Sequence, residues 1–349
     1  MIIRRRSVMI KYFLAFVLGA VLYNEWFVYA MQPYYWHNIK CPQEDTSCTK
    51  IMFIADPQIQ GEMAKPPPLS YLFNWDSDRF LRSTFTVALK HFQPDVLVYL
   101  GDLMDEGSIA TMVQFHYYVK RLSNIFDVSY PVTQVWLPGD NDIGGENEPI
   151  RKDKLEEFEK VFDQPAVINF KNISFYKVNG ITHSFPHSTE NDNYKIVVSH
   201  YPTLWRSPFG KQVNEAIQPN VYFCAHEHKS KYMIKDKDWR NVAARILKPG
   251  DSVLSIEKSK GDIYEIYVPT CSYRMGTDSI GYGAAIVENN QLMRYTVFWS
   301  PRRFPYLYVY AAFLIIIVIY TFIYCLGKMI YTCSSVPKTS STVPLLQII

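Results

Sequence analysis

The feature that most constrains this chain is a pattern that occurs twice: an apolar run that ends in Gly-Asp and then a second carboxylate. In "VLVYLGDLMD" the run closes on Gly101-Asp102, with Asp105 behind it. In "VWLPGDND" it closes on Gly139-Asp140, with Asn141 and Asp142 next. Both runs read as buried strands, and "KIMFIAD", which ends in Asp56, reads as a third. Between them, "DSDRFLRSTFTVALKHF" at 76–92 sets Phe80, Leu81, Phe85, Ala88 and Leu89 at helical spacing, with Asp76 or Ser77 as N-cap. "SIATMVQFHYYVKRLSNIF" at 108–126 predicts a second helix, capped by Ser108. The order is βαβαβ, which implies parallel strands with right-handed crossovers. All three acidic loops then lie at the carboxyl ends of strands, where open α/β sheets place their ligands.

After a predicted helix around Lys154–Val161 the strand density rises. "INFKNISFYKV", "YKIVVSHYP", "NVYFCAHEH" and "IYEIYVPTCSY" all read as strands, and two of them end in histidines: His200, then His226 and His228. "GYGAAIVENNQLMRYTVFW" predicts a hairpin turning at Asn289-Asn290.

Both ends of the chain are membrane-directed. Arg4, Arg5, Arg6 and Lys11 precede an apolar stretch from Tyr12 to Met31, interrupted by Glu25. It fits an uncleaved signal-anchor helix, with a cleaved signal peptide ending near Val28-Tyr29-Ala30 as the competing reading. From Phe304 to Gly327 no residue is charged, which predicts a transmembrane helix. The basic N-terminal cluster favours a cytosolic N-terminus, so the expected organisation is a cytosolic 1–11, a membrane anchor at 12–31, a lumenal domain at 40–303, a membrane helix at 304–327 and a cytosolic tail at 328–349. Arg302 and Arg303 oppose that orientation locally.

A formal net charge of +3 gives no argument for a nucleic-acid partner. Aromatic residues make up 15% of the chain, which suits core filling and membrane-interface anchoring. Cys41 and Cys48 lie seven apart in a turn-rich stretch, as for a local disulfide. Cys224 and Cys271 read as buried and free, and Cys325 and Cys333 flank the end of the last helix, where palmitoylation is possible chemistry. Asn172-Ile173-Ser174 is a glycosylation sequon.

The strand ends together collect Asp56, Gln58, Asp102, Asp105, Asp140, Asn141, Asp142, His200, His226 and His228. Clustered carboxylates repel, and an uncompensated buried ion costs several kcal/mol. Lys and Arg are absent from these loops, so divalent cations are the expected compensation, with oxygen and imidazole ligands suited to Mn²⁺, Fe or Zn²⁺.

In order, "ADPQ", "GDLMD", "GDND", "SHYP" and "AHEH" resemble the five motifs of the calcineurin-like metallophosphoesterases: Asp-x-His, Gly-Asp-x-x-Asp, Gly-Asn-His-Asp, a lone His and Gly-His-x-His. The resemblance covers about residues 50 to 290, and "ADPQI", "GDLMDEG" and "GDNDIGGE" between two membrane segments resemble the branch that remodels GPI glycans. It implies an α/β fold, a β-sandwich flanked by helices, with transmembrane segments at both termini. It also implies two divalent metal ions, Mn²⁺ first among them. Asp102 would bridge them, Asp56, Gln58 and His228 would hold one, and Asp140, His200 and His226 the other, with Asp105 and Asp142 orienting ligands. The implied activity is removal of ethanolamine phosphate from a GPI mannose, with GPI-anchored proteins or the GPI glycolipid as substrate and the ER, ER exit sites and Golgi as location. Four positions depart from the pattern: Gln58 for His, Asp140 for Asn, Asn141 for His and Ala225 for Gly. Asn141 stands where the family's His protonates the leaving alcohol, and an amide cannot do this at neutral pH. His183, His187, Glu146 and a metal-bound water are candidates to replace it. A metal-stabilised pseudoenzyme that binds a glycolipid or cargo protein is the alternative reading.

Overall fold

The computed structural model describes residues 2–42, 47–63, 67–188, 192–205, 207–236, 238–239, 242–258 and 261–334. The expected tail beyond Ser334 lies outside them. The chain divides into two compact units, 1–20 with 303–349, and Val21–Arg302.

Helix α1 (Ile2–Leu22) runs into a π-helical turn (Tyr23–Phe27) and a last helical turn, α2 (Val28–Ala30). The second unit continues with β1 (Thr49–Ile54), α3 (Leu69–Phe92), β2 (Val96–Tyr99), α4 (Met112–Ile125), β3 (Thr133–Trp136), α5 (Asp140–Ile143) and α6 (Lys152–Val161). Then come β4 (Val167–Phe170), β5 (Ile173–Val178), β6 (Tyr194–Ser199), α7 (Ser207–Ile217), β7 (Val221–Cys224), β8 (Lys231–Lys235) and β9 (Val242–Ile246). The unit closes with β10 (Leu254–Glu257), β11 (Ile263–Tyr267), β12 (Gly281–Glu288) and β13 (Leu292–Trp299), and α8 (Phe304–Ser334) follows.

Two sheets form a sandwich, ordered β10-β13-β12-β1-β2-β3 and β4-β5-β6-β7-β11-β8-β9. The apolar runs of β1 and β2 are unbroken because these strands are covered on both faces. Along β1, β2 and the residues after them, Ile51, Phe53, Ala55, Val96, Val98 and Leu100 enter the core between the sheets. Their neighbours Met52, Ile54, Leu97 and Tyr99 pack with Leu81 and Phe85 of α3 and Phe115 and Leu122 of α4. On the far side, Val197 and Tyr222 pack under Phe209, Val213 and Ile217 of α7. The layers are therefore helix, sheet, sheet, helix. The expected βαβαβ run is present, with β1–β2 and β2–β3 both parallel, and β12–β13 turns at Asn289 and Asn290, both left-handed.

Two helix starts differ from expectation. α3 begins at Leu69, and Pro68 precedes it with no side-chain cap. Asp76 is buried inside the helix, where its carboxylate accepts a hydrogen bond from Tyr273 Oη at 2.8 Å. α4 is capped by Thr111 in a capping box with Gln114, not by Ser108, whose hydroxyl turns to Glu148. The expected Cys41–Cys48 disulfide forms, and Cys224 and Cys271 are free and buried.

Two helical stretches, Ile10–Ala30 and Phe304–Ile330, are long and apolar enough to cross a membrane. In the first unit, Phe13 and Phe16 meet Phe313 edge-on. In the second, Glu25 is paired with Arg79 of α3.

Candidate metal centre

The ends of five strands converge. Asp56 follows β1, Asp102 follows β2, Asp140 opens α5 after β3, His200 follows β6, and His226 and His228 follow β7. The glycines of the two Gly-Asp pairs allow this convergence. A Cβ on Gly139 would lie 2.1 Å from Asp102 Oδ1, and one on Gly101 would lie 2.7 Å from the Gly139 nitrogen and 2.8 Å from His200 Nδ1. Each glycine leaves room for the neighbouring loop.

The backbone is strained where the candidate ligands are. Asp56 (φ 45°), Gln58 (40°), Asp102 (50°), His226 (67°) and His228 (60°) all occupy the left-handed region. Each such residue costs on the order of 1–3 kcal/mol, and the strain persists only where the surroundings enforce it. Ala225 is not among these residues, so its methyl group is tolerated where the family has Gly.

Asp140, His200 and His226 form one triad of potential ligand atoms within 4.8 Å of one another, and Asp56, Asp102 and His200 form a second. His200 Nε2 lies 3.0 Å from Asp140 Oδ1 and 3.4 Å from Asp102 Oδ1, and His226 Nδ1 lies 3.2 Å from Asp140 Oδ1. His200 is the residue common to both triads, where the resemblance gave the bridging place to Asp102. His228 joins neither triad; its Nε2 is 3.3 Å from Gln58 Nε2, which also donates to Asp102 Oδ2 at 2.9 Å.

Charge explains the arrangement. Burial raises the pKa of Asp56 and of Asp102 despite the lowering effect of His200. Asp140 is also pushed up by burial, but its hydrogen bonds to His200 and His226 leave it well below the usual carboxylate range. His200 is pushed down by burial and then up, by Asp102, Asp140 and Asp56, to about 10. Its Nδ1 faces the Leu100 carbonyl at 2.8 Å, which holds that hydrogen and leaves Nε2 as the atom aimed at the site. Burial, then His226 and His200, lowers His228 to about 4, which keeps its ring neutral. Asp56 Oδ2 is buried without a hydrogen-bond partner. An orphaned carboxylate oxygen beside hard oxygen and imidazole donors fits a divalent cation.

The residues around these ligands hold them in place. Asp142 is fully buried, and its carboxylate accepts from the backbone N–H groups of Leu103, Met104 and Gly139, which ties the β2 and β3 loops together. Burial, with Asp102 adding to it, lifts Asp142 to about 7. Asn141 donates from its backbone to Asp102 Oδ1 and from Nδ2 to Asp102 Oδ2, both at 3.0 Å, so it clamps that carboxylate. Asp105 points to Arg274, whose guanidinium also donates to the Gln58 carbonyl. Arg274 brings a cation that the loops themselves lack: it arrives from the segment after β11, 169 residues from Asp105. Tyr201, whose ring meets His226 edge-on at 4.4 Å, is a second neighbour with no signal in the sequence.

Of the candidate proton donors, Glu146 is at the site, with Oε1 3.6 Å from His226 Nε2. His183 and His187 are exposed and pack against Phe209 and Phe185 instead.

The family model of the calcineurin-like phosphoesterases matches residues 49–230, the stretch that carries every one of these candidate ligands. The chain belongs to that family. It is 29% identical over 184 residues to a protein named Metallophosphoesterase 1 from Ailuropoda melanoleuca, covering 52% of this chain and 46% of that relative. A Metallophosphoesterase 1 from Gallus gallus is 29% identical over 191 residues, 51% of this chain and 46% of the relative. The chain thus spans about half the length of the curated relatives it matches. A crystal structure of a metallophosphoesterase from Sphaerobacter thermophilus aligns over 71% of this chain and 87% of its own, at 17% identity and a TM-score of 0.37, too loosely to carry an argument.

Proposed function

We propose that this phosphoesterase is a membrane-anchored, metal-dependent phosphodiesterase of the early secretory pathway. In this reading it removes ethanolamine phosphate from a GPI mannose and so aids export of GPI-anchored proteins. The observation that carries the hydrolytic part is the pair of carboxylate–imidazole triads with the orphaned Asp56 oxygen between strained strand ends. The two apolar helices and the resemblance of the loop motifs to the GPI-remodelling branch support the substrate and the setting, with the domain lumenal.

Asp56, Asp102, Asp140, His200, His226 and His228, with the Gln58 carbonyl oxygen, would hold two divalent cations, which supply Lewis-acid stabilisation of charge on a phosphoryl group. The chain's own residues do the rest. The Leu100 carbonyl keeps Nε2 of His200 facing the site, Asn141 fixes Asp102, and Asp142 keeps the two Gly-Asp loops in register. The Asn141 amide is committed to Asp102 and has no acidic proton to give. Glu146, half exposed beside His226, is a titratable group at the rim that is not itself a proposed ligand, and we assign leaving-group protonation to it.

Asn141 also favours the second reading, a metal-holding protein that binds glycolipid without turnover. Elemental analysis together with single-turnover hydrolysis of a phosphodiester by the Mn²⁺-loaded full chain separates the two. Bound metal with turnover supports the enzyme, bound metal without it supports the binding protein, and a folded chain that takes up no metal excludes both.

A further inference from the structure

Helix α3 starts two turns before its core-facing periodicity does, and the added turns are apolar on the outside. From Leu69 to Trp75 the chain has no charged residue. Leu69, Tyr71, Leu72 and Trp75 are exposed, at 55%, 63%, 59% and 59%. One exposed leucine is ordinary, whereas four large apolar side chains within seven residues form a patch that calls for a cover.

Two observations indicate the cover. Stepping along the helix at three and four residues, the face of Tyr71 and Trp75 continues into Arg79, which Glu25 pairs, and the exposed Arg82. Rings followed by cationic heads are the pattern of a helix lying at a lipid boundary. The patch is also fastened to the end of the apolar stretch Ile10–Ala30. Arg79 pairs with Glu25 while lying 5.2 Å over the Trp75 ring, and Phe80 meets Tyr29 at 6.0 Å. That same end exposes Tyr23, Trp26 and Phe27, the residue types of an interfacial aromatic belt.

We propose that the first two turns of α3 lie in the headgroup and upper acyl region of the bilayer that residues 10–30 enter, so that the metal centre acts on a phosphodiester whose lipid remains embedded. This rests on the membrane-anchored reading above. The route from helix to centre is short. Asn74 Nδ2 donates to the Gly61 carbonyl at 3.3 Å, and Tyr273 Oη donates to Asp76 at 2.8 Å. Arg274, next in sequence, holds the Gln58 carbonyl and Asp105. α3 therefore grips both segments that flank Gln58, and one unit carries the lipid contact and the ligands.

The test uses the full chain, with Cys325 and Cys333 replaced by serine, in phosphatidylcholine nanodiscs. An environment-sensitive fluorophore is placed at Leu72→Cys and, in a second sample, at Ile246→Cys, which is 60% exposed on β9 at the edge of the other sheet. Lipids brominated near the headgroup should quench the label at 72 and leave that at 246 unquenched. Equal, water-like emission from both labels overturns the proposal. A blue-shifted label at 72 that brominated lipid does not quench also overturns it, by assigning the patch to a protein. The double variant Leu72→Glu/Trp75→Glu should lose about tenfold in turnover of a lipid-embedded diester and stay within about twofold on a water-soluble one, because only presentation is lost. Equal losses on the two substrates would count against it. A wild type inert on both diesters would remove the phosphodiesterase reading, while the quenching would still decide where α3 lies.

Discussion

Glu265 should control the stability of the loop that carries His200. It lies on β11 between β7 and β8 and has no exposed surface. Its Oε1 accepts from the backbone N–H groups of Thr203, at 2.6 Å, and Leu204, at 2.9 Å, three and four residues past His200. Its Oε2 accepts from Tyr267 Oη at 3.2 Å, and Lys235 Nζ holds the Leu204 carbonyl at 2.9 Å. Glu265→Leu leaves two buried N–H groups without an acceptor, at about 1–3 kcal/mol each, so it should destabilise by about 2–6 kcal/mol. Glu265→Gln keeps an oxygen for both and should cost little. The pH dependence separates charge from shape. Burial lifts this carboxyl from its ordinary 4.5 to about 7, against the pull of the hydrogen bonds it accepts. A raised acid means that the folded state binds the proton more tightly than the unfolded state. The linked stability is therefore complete below about 4.5 and lost as the pH rises through about 7, to a total of about 3 kcal/mol. Urea unfolding of the full chain in nanodiscs, followed by tryptophan fluorescence at pH 5 and pH 8.5, reads the effect. Wild type should lose stability over that interval relative to Glu265→Gln. The same pH slope in both proteins, or a Glu265→Leu variant as stable as wild type, would refute the reasoning.

Four further outcomes follow from the site and its setting. Asp102→Asn should lower divalent-metal content more than Asp56→Asn if Asp102 takes the bridging place that the family resemblance implies; elemental analysis of the two variants decides it. Arg274→Ala removes both the Asp105 ion pair and the bond to the Gln58 carbonyl, and should destabilise by about 1–3 kcal/mol in urea unfolding, with Arg274→Lys recovering only part. Asn141→His should raise turnover of an alkyl phosphodiester by up to ~10²-fold and barely change a p-nitrophenyl ester, whereas Glu146→Gln should slow only the alkyl substrate, as read from steady-state rates on both. Asn172 is exposed in the β4–β5 turn, so a lumenal domain should carry an endoglycosidase-sensitive glycan that Asn172→Gln removes, and protease access to that domain in sealed microsomes would contradict the topology.

The central layers were legible because burial on both faces leaves a run of apolar residues that no solvent-exposed segment would carry. β1, β2 and β3 follow from that alone, and the Gly-Asp loops follow from where those runs stop. The left-handed backbone at Asp56, Gln58, Asp102, His226 and His228 was not legible, since none of these is glycine and nothing in a linear sequence marks an Asp or His held at positive φ by its neighbours. The start of α3 was missed for a related reason. Periodicity locates the part of a helix that faces a core, and Leu69, Tyr71, Leu72 and Trp75 face away from it.

The partners of the site's charges were the least legible part, and topology explains why. Asp105 meets Arg274 across 169 residues, and Thr203 meets Glu265 across 62. In both cases one partner is brought by β11 or the segment just after it, Glu265 on the strand and Arg274 beyond its end, and that strand pairs parallel with β7 and antiparallel with β8. A short motif can state that carboxylates accumulate at strand ends and therefore need compensation, but it cannot name a compensating group that arrives through strand order. Compensation among these residues is divided accordingly. Arg274 takes Asp105, backbone N–H groups take Asp142 and Glu265, and the Asn141 amide takes Asp102, which leaves the Asp56 and Asp140 carboxylates facing imidazoles.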